Sequence, residues 1–581
     1  MPASELIDQL RALDVQGGEH VALTIEPSVG LGLAARGRMF HVDADLVSTV
    51  RLVDDAIGPR WVWWDKSTSL ALASLGIPID RCWDVIAVHR LLSGGWRWSI
   101  QSTWASIKGL SAESIPQLGQ MDLLDTAQDA DADPDSPLQP DGHIRPEWAD
   151  STWAASPTSL AQWSLLALEA AALQTARLLD SEDPTRALST AHAESAAALL
   201  CAELESNGLP IDEQRVLDIL QESIGPRAAT VREEDILRAE RDERVLELLE
   251  PRQEINLRNS AEVKAMLRRL DIDVADTRAW RLEQVREAHP VVDALLTWRK
   301  AERIASTYGY RWVDEHVSEG RLRGEWSSAD GSAGRMTASA GLHNLPSDMR
   351  PAVRSDHEHA FVRADLGQIE PRVLAAVSGD SAFIRATRRD DLYAEVAEQL
   401  RVSRDVAKLA VLGAMYGATT GESAHALRRL ESTYPVAMEF LAQAAKSGRE
   451  RVDLRTIGGR RIRLSGPSDD SERSPGNLDA AQTAAASRGR YARNAVIQGA
   501  AAEFFKVWAI VVRRRVRPLG ATIVLCLHDE LLVHTPHVHA DRTAQMVREA
   551  IDEAAHFWSP SADVRFVADV SVINRWSEAK N

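Results

Sequence analysis

Apolar positions recur with two different periods along the chain. Near the amino terminus, short runs at 21–27 (VALTIEP), 38–44 (RMFHVDA) and 60–65 (RWVWWD) are dense in β-branched and aromatic residues and predict strands. The stretch 69–77 (SLALASLGI) and the Ala/Leu-rich stretch 159–179 predict helices, so residues 1–183 are expected to form a mixed α/β domain. Between them, 118–151 is rich in Asp, Pro, Gln and Gly and has no sustained apolar period, which predicts a solvated acidic loop. From 184 to 321 the period changes to that of amphipathic helices, interrupted by a turn at Ser206-Asn207-Gly208. Beyond 321, strand-like runs at 359–366 (HAFVRADL), 521–535 (ATIVLCLHDELLVHT) and 564–572 (VRFVADVSV) bracket a long helical block at roughly 400–515. That order predicts an α+β domain carrying a helical insertion.

Length supports the division, since 581 residues exceed what one hydrophobic core usually serves. Hydrophobic residues make up 45% and charged residues 26%, as in soluble proteins. No uninterrupted apolar run approaches the ~18 residues of a membrane span, and the first residues lack an export signal, so a cytoplasmic chain without membrane contact is expected. Cys82, Cys201 and Cys526 are too scattered for a disulfide framework or a zinc site. The net charge of −18 argues against a generally basic surface, so any nucleic-acid binding has to be local.

Three segments carry candidate chemistry. In Phe361-Val-Arg-Ala-Asp365-Leu-Gly-Gln368-Ile-Glu370-Pro-Arg372, a strand ends in an acid and turns into a helix. In Ile523-Val-Leu-Cys-Leu-His528-Asp529-Glu530-Leu-Leu-Val, three polar residues interrupt an apolar strand pair; they form either a polar turn or a cluster whose carboxylates need a cation. Arg404, Lys408, Leu412 and Tyr416 recur every four residues and share one helix face. Twelve steps of ~1.5 Å make a stripe of about 18 Å, long enough for a triphosphate and a base, although a solvated surface stripe has the same pattern.

Taken together, and in this order and spacing, the three segments resemble the motifs of family A DNA polymerases, the bacterial polymerase I type. Further counterparts are Gly334-Arg335-Met-Thr-Ala-Ser339, Leu342-His-Asn344-Leu-Pro346, Thr456-Ile-Gly-Gly459-Arg460-Arg461, Arg490-Tyr-Ala-Arg-Asn494-Ala-Val-Ile-Gln498-Gly499 and Asn574-Arg-Trp576. Ile255-Asn256-Leu257 and Ser306-Thr307-Tyr308 are similar to the family's thumb, and the resemblance extends over roughly 190–581. It implies an α/β and α+β multidomain fold: an RNase H-like amino-terminal domain (1–183) followed by a right hand. Its thumb would be 184–321, its palm 322–400 and 516–581, and its fingers 401–515.

The resemblance further implies template-directed DNA synthesis on primer–template DNA from dNTPs, with a role in replication or repair, by a monomer associated with the nucleoid. Asp365 and Asp529 would hold two Mg²⁺ ions, with Mn²⁺ as a substitute, and Lys408 would join them in catalysis. Arg404, Lys408, Leu412, Tyr416, Gln368, Glu370 and His528 would meet the nucleotide, Glu370 as the steric gate against ribose. Arg335, Asn344, Arg460, Arg490, Asn494, Gln498 and Glu530 would meet DNA. Leu366-Gly367, Pro371 and Leu412 depart from the family pattern, the last replacing an aromatic.

Residues 1–183 occupy the place of a 3′–5′ exonuclease domain, but its carboxylates are mostly missing. Thr24-Ile25-Glu26 stands where Asp-x-Glu is expected, leaving Glu26 as a remnant; the next acid falls near Thr68 and the last near 163–167. Asp65 and Glu169 are nearby acids out of register. A polymerase without proofreading and without a preceding 5′ nuclease region is expected. The competing readings are a polymerase with an active exonuclease, a silent DNA-binding protein on the same fold, and a single-subunit RNA polymerase, the last disfavoured by Glu370.

Overall fold

A computed structural model describes the protein except for residues 43–44, 96–97, 118–135, 151, 153–154, 253, 418–422, 466–477 and 580–581. Chain packing divides it into two units: 1–207 with 326–337 and 358–572, and 208–325 with 338–357 and 573–581.

Among the described residues, the two larger sheets of the first unit have five and four strands. The amino-terminal one is built from β1 (His20–Glu26), β2 (Gly30–Ala35), β3 (Arg38–Val42), β4 (Arg60–Trp63) and β5 (Cys82–Asp84) in the order β3-β2-β1-β4-β5. β1, β2 and β3 pair antiparallel, whereas β1, β4 and β5 run parallel. Three strands match the sequence expectation. β2 was not expected, because GLGLAA has no alternation of apolar and polar residues. Its small residues serve packing: a β-carbon added at Gly32 would fall 2.1 Å from the carbonyl carbon of Leu160, in helix α1 (Pro157–Leu179). The start of α1 is fixed by Pro157 at its first turn and by a capping box between Ser156 and Ser159. Apolar side chains lie on both sides of the sheet, Val21, Leu23, Trp61 and Trp63 in one cluster and Ala22, Val62, Trp83 and Trp104 in another.

The acidic loop expected at 118–151 lies outside the described residues at 118–135 and 151, and 136–150 is only partly irregular. Residues 146–149 form a helical turn, Leu138 bridges Ile144, and Ile144 and Trp148 are buried.

Helix α2 (Pro184–Asn207) was expected to open the helical subdomain, yet it belongs to the first unit. Thirteen of its residues are buried, on several faces, because the chain surrounds it. The second sheet has the order β7-β8-β6-β9, built from β6 (His359–Leu366), β7 (Thr522–Cys526), β8 (Glu530–Pro536) and β9 (Ala568–Ile573). Helices α3 (Ile369–Ser378), α4 (Arg404–Tyr416), α5 (Pro435–Glu450), α6 (Leu478–Val516) and α7 (Ala540–Trp558) accompany it.

α6 is long and apolar enough, by length and composition, to cross a membrane, although charged residues interrupt it, and 83% of its most apolar window is buried within the protein. Inside that window Lys506 is 1% exposed and its ammonium donates to Glu194 Oε2 of α2 at 2.7 Å. The three cysteines, one each in β5, α2 and β7, are buried free thiols.

The second unit is mainly helical, with helices at Glu213–Ile224, Val231–Leu246, Ser260–Arg269 and Pro290–Thr307 and a three-stranded sheet of two-residue strands. Its core gathers Val263, Leu267, Leu282, Leu295 and Trp298.

Candidate functional site

β6 carries its residues alternately to opposite faces, so Phe361, Arg363 and Asp365 share one. β6 and β8 pair antiparallel with Asp365 opposite Glu530, and the Leu366 amide donates to the Asp529 carbonyl at 2.8 Å. The acid at the end of one strand and the acids in the adjoining turn are thereby brought side by side. Desolvation and repulsion by Asp529 push Asp365 up to about 6. Desolvation likewise raises Asp529 above the usual carboxylate range.

After Asp365 the chain turns sharply into α3. Gln368 takes a left-handed φ of 56°, and its side chain spans to 391–392, accepting from the Leu392 amide and donating to Asp391, each at 2.8 Å. Arg372, fully buried, donates to the carbonyls of Gly367, Thr387, Arg389, Asp390 and Arg565. It clamps the turn that follows Asp365.

α4 starts at the cap Ser403, whose hydroxyl accepts from the Val406 amide, and ends at Gly417. Arg404, Lys408 and Tyr416 are exposed and Leu412 is half-buried, so the predicted face is open along its length. Arg404 pairs with Asp391 at 2.5 Å. At the other end, the Tyr416 hydroxyl donates to Glu370 Oε2 at 2.9 Å and the Arg335 guanidinium donates to Glu370 Oε1 at 2.7 Å. Glu370 is thus held at both oxygens. Burial, then the Glu370 charge, raises Tyr416 to about 12, and Gln498 also hydrogen-bonds it. A β-carbon at Gly417 would fall 2.7 Å from Arg490 Cγ, which puts exposed Arg490 beside the end of α4, with Asn494 and Gln498 one and two turns further along α6.

A cavity of about 70 Å³ is lined by Arg335, Glu370, His528 and Asp529 together with Ile369 and Phe505. Partial desolvation and the nearby Arg335 charge lower His528 below its ordinary value. The first unit therefore brings together Asp365, Asp529, His528, Gln368, Glu370, Arg335, Tyr416, Gln498 and the α4 face. Asn344 is exposed in the second unit, where its carbonyl accepts from Tyr308 and Arg303.

Two of the residues expected at DNA are buried. Arg460 is 0% exposed and pairs with Glu194 Oε2 at 2.6 Å. A β-carbon at Gly334 would fall 2.3 Å from the guanidinium carbon of Arg460, and Gly334 also has a φ of +68°, so the position demands glycine. The Gly-Gly-Arg-Arg segment braces the chain leading to Arg335 rather than presenting Arg460 to a ligand. Glu530 is 7% exposed and accepts from Arg363 Nε at 2.9 Å. In both cases the partner lies far away in sequence, so a run of charges reads as surface. Arg363 and Asp391 were missed; Arg363, two residues before Asp365 on one strand face, had a signal in its spacing.

In the amino-terminal domain, the positions where acids were expected from the sequence are occupied by packed or locally bonded side chains. Ser164 Oγ lies 2.8 Å from both Thr24 Oγ1 and the Gly32 carbonyl oxygen, within a hydrogen-bonded cluster, and is fully buried. Trp64 packs 5.0 Å from Trp163, which in turn lies 5.6 Å from Trp148. Asp65 caps a helix by accepting from the Ser67 amide, Glu169 pairs with Lys108, and Glu26 accepts from the Ser28 hydroxyl. Thr68 is buried. Among the described residues, no group of three or more metal-binding side chains gathers anywhere.

The sequence pattern of DNA polymerase family A matches residues 237–578. The thermostable DNA polymerase I of Thermus thermophilus is 29% identical over 311 residues, covering 48% of this chain and 36% of that protein. DNA polymerase theta of Caenorhabditis elegans is 25% identical over 304 residues, 47% of this chain and 17% of that protein. The matched region thus spans about a third or less of the length of these relatives. Among solved structures, the POL domain of Pol1 from M. smegmatis, in complex with DNA primer-template and dNTP, superposes with a TM-score of 0.66 over 100% of this chain and 99% of that one, at 20% identity.

Proposed function

The chain belongs to DNA polymerase family A, and from that premise we propose that it is a template-directed DNA polymerase that extends a primer 3′-hydroxyl with dNTPs and lacks proofreading. The observation that carries this reading is the juxtaposition of Asp365 and Asp529 across β6 and β8, beside the open face of α4. In this reading the sheet β7-β8-β6-β9 is the palm, the helical block with α4 the fingers, the second unit's helices the thumb, and the β3-β2-β1-β4-β5 sheet an RNase H-like scaffold.

The donor set suits Mg²⁺. Magnesium is commonly held by one or two carboxylates with waters and substrate phosphates completing its shell; burial makes both Asp365 and Asp529 costlier to charge, and the Asp529 charge adds to the cost at Asp365, which a divalent cation relieves. When bound, a pair of such ions lowers the pKa of the attacking hydroxyl and neutralises charge on the leaving pyrophosphate.

The chain's own residues do the rest. Arg404 and Lys408, a turn apart on α4, hold the outer phosphates by charge-assisted hydrogen bonds, and Lys408 delivers a proton to the departing pyrophosphate. Leu412 and Tyr416 face the nucleoside. Glu370, pinned by Arg335 and Tyr416, cannot swing away from the sugar pocket, so it excludes a 2′-hydroxyl. Arg335, His528, Gln498, Asn494 and Arg490 contact the primer–template, where the minor-groove acceptors are common to all base pairs.

The test is primer extension by Asp365→Ala and Asp529→Ala. Each variant should lose activity by about a thousandfold or more with unchanged circular dichroism, since each removes half of a two-carboxylate site. Extension by either within about tenfold of wild type defeats the proposal.

A further inference from the structure

Arg363 places a buried guanidinium directly on the acids just described. Its side chain is 9% exposed; Nη2 donates to Asp365 Oδ2 and Nε to Glu530 Oε1, each at 2.9 Å, while Nη1 lies 3.6 Å from Asp569 Oδ2. The contact follows from the strand geometry: residues two apart in β6 share a face, and Glu530 stands opposite Asp365 on β8. The planar fork takes one oxygen from each carboxylate, a geometry that lysine cannot reproduce.

The geometry points to Arg363 as a resident counter-ion that orients Asp365 and competes with the divalent cation for it. This inference rests on the reading of Asp365 and Asp529 as metal ligands. Without a cation, the negative charges of Asp365, Glu530 and Asp569 are each approached by the one guanidinium of Arg363, which neutralises part of them. The same positive charge has a cost for function. It occupies Oδ2 of Asp365 and repels an incoming dication, so the free enzyme's metal affinity is set lower than the two carboxylates alone would give. Arg363 touches neither primer nor nucleotide in this account, and it acts only through Asp365 and Glu530.

The sign of the effect separates this role from a structural one. Loss of a merely structural arginine loosens the site and weakens metal binding, whereas loss of a competing counter-ion tightens it. Binding of Mn²⁺ alone to the full chain, followed by the electron paramagnetic resonance of the free ion, reads this without any turnover. Arg363→Gln should bind Mn²⁺ roughly three- to tenfold more tightly than wild type, and the Mg²⁺ concentration for half-maximal extension should fall in parallel. Arg363→Lys, which keeps the charge, should stay within about twofold of wild type. Unchanged or weaker binding by a folded Gln variant overturns the inference, as does a Lys variant that binds as tightly as the Gln variant. If the Gln variant does not fold, tighter binding by the Lys variant alone is sufficient to overturn it. Asp365→Asn serves as the control: if it leaves Mn²⁺ binding unchanged, the metal-site reading itself fails, independently of Arg363.

Discussion

Arg460 Nη2 and Glu194 Oε2 meet at 2.6 Å with both side chains essentially sealed from solvent, 0% and 1% exposed. Lys506 donates to both oxygens of the same carboxylate, at 2.8 and 2.7 Å. Although burial opposes ionisation, the two cations hold Glu194 below its usual range. Glu194→Ala leaves two buried cations sharing no partner and should destabilise the protein by about 3–5 kcal/mol, read as a lowered urea midpoint. Glu194→Gln, which keeps an acceptor, should lose less; an alanine variant as stable as wild type refutes the assignment of the cluster as a structural keystone.

Asp365 gives a pH dependence whose sign is fixed. Its folded-state value of about 6 lies above the ordinary carboxylate value, so its favourable contribution is present at low pH and is lost as pH rises through 6. In metal-free buffer, Asp365→Asn should therefore be more stable than wild type at pH 8, by about 1 kcal/mol at most after solvent screening of a side chain that is 35% exposed. The difference should vanish near pH 4. Added Mg²⁺ should raise the wild-type Tm more than that of the variant; equal shifts would count against Asp365 as a ligand.

Glu370 is held from two sides, and this makes its removal selective. Glu370→Ala opens the sugar pocket and should raise the ratio of ribonucleotide to deoxyribonucleotide insertion by about tenfold or more, in single-nucleotide assays. Overall efficiency should also fall, because Arg335 and Tyr416 lose their common partner. An unchanged ratio removes Glu370 from the role of gate.

No 3′–5′ degradation of matched or mismatched primers is expected in Mg²⁺ or Mn²⁺. The Thr24–Ser164 hydrogen bond and the Trp64–Trp163 contact occupy the aligned positions, and Asp65 and Glu169 are engaged with Ser67 and Lys108. Shortening of a mismatched primer that Glu26→Ala abolishes and Asp529→Ala does not would show that the domain still holds metal.

The sequence made local features legible and long-range ones not. The strand read at 359–366 is β6 residue for residue, and the four-residue spacing of Arg404, Lys408, Leu412 and Tyr416 falls on one helix whose end meets Glu370. Those features depend on backbone periodicity, which a window of a dozen residues contains. Arg460 was misjudged because its partner, Glu194, is 266 positions away by subtraction of their numbers, and nothing local distinguishes a buried arginine from an exposed one. The strand β2 was invisible because Gly and Ala were selected for the close approach of α1 rather than for strand propensity. That α2 packs within the first unit could not be read for a related reason: helical period identifies a helix but not the surface against which it packs.

The buried thiols give the molecule three internal clocks. Burial pushes Cys82 and Cys201 up to about 12 and holds Cys526 well above the ordinary thiol range, so none offers a thiolate to an alkylating reagent while its surroundings stay closed. Iodoacetamide labelling of the native protein then reports opening events, and mass spectrometry can time each site separately. Cys526 lies on β7 next to the turn bearing Asp529, whereas Cys82 lies in the amino-terminal sheet. A divalent cation that tightens the Asp365–Asp529 turn should slow modification of Cys526 while leaving Cys82 at its original pace.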